Sequence, residues 1–150
     1  MTNAYKSPIQ PGAKALNPRA TALLPDLQTE FLVKLARLRF VCSQHGINIG
    51  KPLIHRSAAT QKMLYCQGRT RPGSIVTNAD AWQSPHQYDL AADCQLSWMP
   101  KPPNHGELDL HTTFGICVST VKLTWGGNFR SIHDPCHVEL PGWPKGAKTY

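Results

Sequence analysis

The sequence predicts an α+β fold, a small antiparallel sheet with two to three helices packed around it. Phe31, Leu32, Leu35, Leu38, Val41 and Cys42 recur at three- and four-residue spacing, the signature of one helical face. Cys94, Leu96 and Trp98 alternate with Gln95 and Ser97, as a half-buried strand does. Helical patterns fall mostly early and strand patterns mostly late, an order that favours an antiparallel sheet.

Taken in order, residues 1–17 are polar and rich in proline and glycine and read as an extended arm. Residues 18–150 read as one domain ending in a short basic tail. Asn17-Pro18 opens a short apolar segment, and Pro25-Asp26 marks the start of the first helix. Gly46 ends that helix, with His45 as a solvated residue near the cap. Gly50 to Arg56 reads as a short strand, after which Ser57 caps a second helix closed by Gly68. Gly68 to Ser74 and the proline-rich Met99 to Gly106 are loops by composition. Thr112 or Thr113 is the expected cap of a third helix in which Phe114, Cys117, Val118 and Val121 share a face. The segments L-T-W-G-G-N-F and D-P-C-H-V-E-L then suggest two short strands separated by a glycine turn.

At 150 residues the chain suits one domain with a proper core. With 41% apolar and 17% charged residues, the composition argues against disorder throughout, while 13 prolines and 11 glycines imply many loops. No apolar run is long enough to span a bilayer, and the first residues lack a signal-peptide core. Synthesis and folding in the cytosol are therefore expected, as is a monomer without membrane insertion. The 5 cysteines are odd in number and contain no CxxC pair, so reduced, buried thiols are expected. Cys94 and Cys136 adjoin candidate metal ligands, but neighbours on a strand point to opposite faces. The net charge of +7 suits a polyanion, nucleic acid or an anionic cell-wall polymer, or serves solubility alone. Basic residues are scattered, with no basic run interleaved with aromatics, which disfavours nucleic acid.

The chemistry concentrates in Gln83 to Asp93, Q-S-P-H-Q-Y-D-L-A-A-D, and in Asp134-Pro-Cys-His137. Isolated histidines and aspartates are mostly surface or turn residues, which is the plain alternative to a site. If His86 and Asp93 bind one zinc ion, their seven-residue separation is too long to stay extended, since it would span about 23 Å. The chain must turn back at Gln87 to Leu90, and Asp89 is a residue type that tolerates positive φ. His137 is the best placed third ligand, leaving a fourth position open. Asp134, ahead of Pro135, sits on a turn entering a strand and can act as general base. Arg56 is the candidate cation for a developing oxyanion.

These residues resemble the zinc peptidases of peptidoglycan that group D-Ala-D-Ala carboxypeptidases with phage L-alanyl-D-glutamate endolysins, the LAS-type metallopeptidases. The family pattern S-x-H-x-x-G-x-A-x-D is matched at Ser84, His86, Ala91 and Asp93, with Asp89 in place of the glycine. The later D-x-x-H and its continuation are matched by Asp134, His137, Val138 and Glu139, and the preceding W-G-G by Trp125, Gly126 and Gly127. Upstream, Arg56, Ser57, Gln61, Leu64, Tyr65, Gln67, Gly68, Arg69 and Thr70 match a further motif. The resemblance runs from about Leu24 to Leu140.

It implies zinc held by His86, Asp93 and His137 on the sheet, Asp134 as base and Arg56 near the substrate carbonyl. Ser84 and Gln61 are implied on the substrate side. The loop Gly68 to Asn78 resembles the endolysin branch, which implies cleavage of the L-Ala–D-Glu bond of peptidoglycan by a phage-type endolysin released through a membrane pore. A D-Ala-D-Ala carboxypeptidase and a non-catalytic zinc or cell-wall binder are the alternatives. Around the site, His55 either lines the cleft or is a partly buried strand residue, and His133 either tunes the base or is exposed. Glu139 lies behind the metal or faces solvent, and Tyr88 walls the cleft or packs in the core. His105 and His111 are expected to be solvated, Trp125 to be core, and Trp143 to pack at the surface.

Overall fold

The structure, a computed structural model, describes residues 18–100 and 108–143. The expected arm at 1–17, most of the proline-rich loop with His105, and the basic tail lie outside the described residues. Among the described residues three α-helices, two short 3-10 turns and five short strands form an α+β fold. The strands make two antiparallel sheets where one was expected: β1 (Ile47–Ile49) with β3 (Leu96–Trp98), and β2 (Ala91–Asp93), β5 (His137–Glu139) and β4 (Thr124–Trp125) in the order β2-β5-β4. Helices and strands also interleave along the chain more than the sequence patterns suggest.

Helix α1 (Pro18–Gln44) begins seven residues before the Pro25-Asp26 start and carries Pro25 inside it. Proline removes one backbone donor, which is why it reads locally as a boundary. The helix continues because Leu24 and Leu27, on either side, belong to the same inward stripe as Phe31, Leu35, Leu38 and Cys42. Leu32 is off this stripe and half exposed, and Val41 is only partly buried. Gly46 closes the helix with φ +75°, and its N–H donates to Ser43 O at 3.1 Å, while His45 is exposed.

The strand expected over Gly50–Arg56 reduces to one antiparallel bridge, Leu53 with Asp93. Pro52 has no N–H for a ladder, so regular pairing starts earlier, at Ile47. Helix α2 (Ala58–Cys66) is capped as expected by Ser57, whose Oγ accepts from Thr60 N at 3.1 Å. Gly68 follows at φ +74°, where a Cβ would sit 2.7 Å from Ile75 N. Helix α3 (Leu110–Thr120) is capped by Asp109 and not by a threonine. Its carboxylate accepts from His111 N at 2.9 Å and Thr112 N at 3.0 Å, one turn ahead of the expected cap.

Phe114, Cys117, Val118 and Val121 of this region join the α1 stripe in one core with Leu90, Val138 and Leu140. All five cysteines are free. Cys42, Cys94 and Cys117 are buried as expected, whereas Cys66 and Cys136 are half-buried. Trp143 departs from its expected surface place: it is 6% exposed and packs on Tyr88 with ring centroids 6.0 Å apart. No helix among the described residues is long and apolar enough to cross a membrane.

The contrast along α1 is testable, because Phe31 is 0% and Phe40 67% exposed. Phe31→Ala should lower unfolding free energy by about 3–5 kcal/mol in denaturant titration. Phe40→Ala should change it by no more than about 0.5 kcal/mol. Similar losses at both positions would contradict this assignment of the inward face.

Candidate metal centre and cleft

The segment Gln83–Asp93 folds by local hydrogen bonding. Ser84 Oγ accepts from His86 N at 3.3 Å, and the Gln87 side-chain oxygen accepts from Ser84 N at 3.1 Å, a reciprocal capping box. Pro85 supplies a fixed φ at the first position of the 3-10 turn Pro85–Tyr88. The turn ends at Asp89, in the left-handed region at φ 58° and ψ 35°, and Leu90 N closes onto Pro85 O at 3.0 Å. The chain thus reverses between His86 and Asp93 where the spacing requires it. Asp89 keeps the turn that a glycine would make, and its carboxylate accepts from His55 Nδ1 at 2.7 Å. His55 is therefore a half-exposed partner of Asp89, off the cleft wall.

Strand β2 continues from this turn and pairs with β5 so that Asp93 lies directly opposite His137. Directly opposed residues project to the same face of a sheet, about 5 Å apart at Cβ. His86 Nε2 stands 3.1 Å and His137 Nδ1 3.0 Å from Asp93 Oδ1. One donor atom from each of the three lies within 4.8 Å of the others. The outer atoms are held as well. His86 Nδ1 donates to Ile54 O at 2.7 Å, and His137 Nε2 donates to the buried Glu139 Oε2 at 3.1 Å. Arg56 donates to Asp93 Oδ2 at 2.5 Å and to Gln61 Oε1 at 3.1 Å.

A divalent ion fits these residues. With its Nδ1 proton committed to Ile54, a neutral His86 turns a bare Nε2 lone pair toward a carboxylate oxygen. Two acceptors at that distance need a proton or a cation between them. Two imidazoles and one carboxylate, each oriented by an outer hydrogen bond, match the donor set and second shell of zinc sites. Burial opposes charge on His137, but hydrogen bonds with Asp93 and Glu139 outweigh it and raise its pKa to about 9. Burial likewise opposes charge on Asp93, and the hydrogen bond from His137 helps hold its carboxyl well below the usual carboxylate range. Burial pushes the neighbouring Cys94 thiol up to about 12.

The triad opens on a cleft of about 500 Å³ that Arg56, Ser84, Asp134 and Trp82 also line. Asp134 N donates to Gly126 O at 3.1 Å, and Asp134 O accepts from His137 N at 3.1 Å, so the expected base and third ligand share one turn. Gly126 is required there, because a Cβ would overlap the Asp134 carbonyl and come within 2.9 Å of His137 Cβ. Trp125 packs its ring against Gly115 and donates to Pro135 O at 2.8 Å, a core role as expected.

Other expectations are corrected or settled by packing. Gln61, expected on the substrate side, is 0% exposed, and its amide is spent on Arg56, Thr77 and Ala79. It holds Arg56 from behind. Ser84 lines the cleft, but its hydroxyl oxygen caps the His86 turn. Glu139 lies behind His137, Tyr88 is core, and His133 and His111 are exposed. Sequence patterns passed over the Ile54 carbonyl, which no side chain announces, and Trp82, whose φ of 65° is invisible in composition.

Two outcomes follow. Asp89→Gly should keep stability within about 1 kcal/mol of the unmodified protein. Asp89→Ala, with a Cβ but no polar group, should lose about 1–2 kcal/mol in the same denaturant titration. A stable alanine variant would contradict the role given to the turn. In chelator-treated protein, His137 binds its proton more tightly when folded, so that contribution is complete below about pH 6.5 and is lost as pH rises through about 9. Asp93 contributes above the ordinary carboxylate range and loses its contribution in acid. The thermal midpoint of the metal-free protein should therefore fall between about pH 6.5 and pH 9, and a flat profile there would count against the Asp93–His137–Glu139 chain.

No family model matches the chain. It is 33% identical over 112 residues to the peptidoglycan L-alanyl-D-glutamate endopeptidase CwlK of Bacillus subtilis (strain 168), across 69% of this chain and 66% of CwlK. The match thus spans just under two thirds of that relative's length. A looser structural likeness, with TM-score 0.43 and 18% identity, covers 89% of this chain and 95% of the Serratia marcescens L-Ala D-Glu endopeptidase ChiX. That likeness carries no weight at such a score. The sequence match, together with the motifs that supply the triad, places this chain in the LAS-type family of peptidoglycan peptidases.

Proposed function

We propose that the protein is a zinc-dependent endopeptidase that cuts the L-Ala–D-Glu bond of peptidoglycan stem peptides. The observation that carries this is the convergence of His86, Asp93 and His137 on one point of a cleft that Arg56 and Asp134 also line. The activity of CwlK, named for that bond, supports the choice of substrate. Zinc bound by the triad would supply Lewis-acid polarisation of the scissile carbonyl and bring the pKa of water toward neutrality.

The chain's own residues do the rest. Asp134 accepts a proton from the attacking water and returns it to the leaving amine. Arg56 is tied through two donors to Asp93 and Gln61, which leaves donors of the same fork for the carbonyl oxygen as negative charge develops on it. Gln61 keeps that guanidinium aimed, and Glu139 and Ile54 fix which nitrogen each histidine presents. The positive net charge favours approach to an anionic wall. The likeness of Gly68–Asn78 to the endolysin loop supports a phage-type lytic role, exercised on the wall after release from the host cytoplasm through a membrane pore.

Zinc-loaded protein incubated with purified muropeptides should release fragments whose masses place the cut between L-alanine and D-glutamate. Removal of a terminal D-alanine would instead indicate the carboxypeptidase. Asp134→Asn should lower turnover by about 10²–10⁴-fold while zinc content stays unchanged. Undiminished turnover in that variant would overturn the assignment of the base.

A further inference from the structure

Trp82 is held in a backbone conformation that its side chain disfavours, at φ 65°. The left-handed region crowds any Cβ, and a bulky residue there is an outlier that persists only where its surroundings impose it. The surroundings are explicit. The Tyr88 hydroxyl donates to Trp82 O at 2.9 Å, and Gln83 N donates to Asp80 O at 3.0 Å, so both sides of the residue are pinned in a turn just ahead of the Ser84 cap. Glycine would adopt the same backbone without steric cost. What tryptophan adds is its ring: one side packs toward the core beside Tyr88, with ring centroids 6.4 Å apart, and the residue stays partly exposed on a cleft wall that the more deeply buried Trp143 also lines.

Resting on the peptidase reading above, we propose that Trp82 is a substrate-binding residue whose indole packs against the alanine side of the scissile bond. Of the two residues flanking that bond, one carries a methyl group and the other a carboxylate. The face of an indole is electron-rich, so it attracts C–H groups and repels an anion. Val76, Ile132 and Phe129 also line the cleft and supply further apolar surface. An apolar wall of this kind fixes the peptide's position without taking part in proton transfer.

The test uses the full chain loaded with zinc, with purified muropeptides as substrate. Trp82→Gly relieves the backbone and removes the ring. It should retain zinc and raise KM by about tenfold or more with a smaller change in kcat. Trp82→Phe keeps an aromatic wall and should stay within about threefold of the unmodified KM. An unchanged KM in Trp82→Gly, or a variant that no longer holds zinc, would show that Trp82 only shapes the turn and would overturn the proposal. If the unmodified protein cleaves no muropeptide, it is the peptidase reading that fails. Equilibrium binding of the same muropeptides then decides the role of Trp82: affinity weakened in Trp82→Gly supports it, and equal affinity, or none for either protein, overturns it.

Discussion

The carboxylate of Asp93 is the point on which the structure depends. It is largely enclosed, and an ionised carboxylate in such a place is costly unless it is fully partnered. Its Oδ1 faces both imidazoles and its Oδ2 takes the Arg56 guanidinium. Each partner is held by a further contact, His86 by Ile54, His137 by Glu139 and Arg56 by Gln61. The backbone repeats the pattern, since Asp93 pairs with His137 on β5 and bridges to Leu53 on the other side. A one-residue slip of β2 against β5 would turn Asp93 away from both histidines.

That arrangement explains how short strands carry a precise site. Strands of three residues contribute few ladder bonds, so side-chain bonds between segments supply much of the positioning. The extended segment from Leu53 to Arg56 is the clearest case. It gives a backbone bridge to Asp93, a carbonyl to His86, an N–H to His86 O at 3.2 Å and a guanidinium to Asp93. The Asp89–His55 contact ties the same segment to the turn that separates His86 from Asp93. The geometry of the triad is thereby shared between neighbours far apart in sequence.

What could be read from residues alone was what local chemistry decides. The required turn between His86 and Asp93, the tolerance of Asp89 for positive φ, the Ser57 cap and the Gly46 stop all follow from a few neighbouring side chains. The misreadings came where distant packing prevails. Pro25 looks like a helix start until the buried stripe on both sides of it is seen, and Gly50–Arg56 looks like a strand although most of its contacts to the site are side-chain or single backbone bonds. Gln61 and Glu139 are polar residues whose burial depends on partners elsewhere, so sequence could not distinguish outward-facing roles from supporting ones. Trp143 and Trp82 both line the cleft, yet one is almost fully buried and the other stays partly exposed.

The central claim is that this cluster is built to exchange a proton for a metal ion. Calorimetric titration of chelator-treated protein with zinc near pH 7, repeated in buffers of different ionisation enthalpy, tests it most directly. A site that holds His137 protonated when empty, with its pKa at about 9, should take up one zinc ion and release about one proton. Imidazole NMR signals of His86 and His137 should shift together, while those of exposed His45 and His133 stay in place. Zinc uptake without proton release, or with the His86 and His137 signals unmoved, would contradict the account.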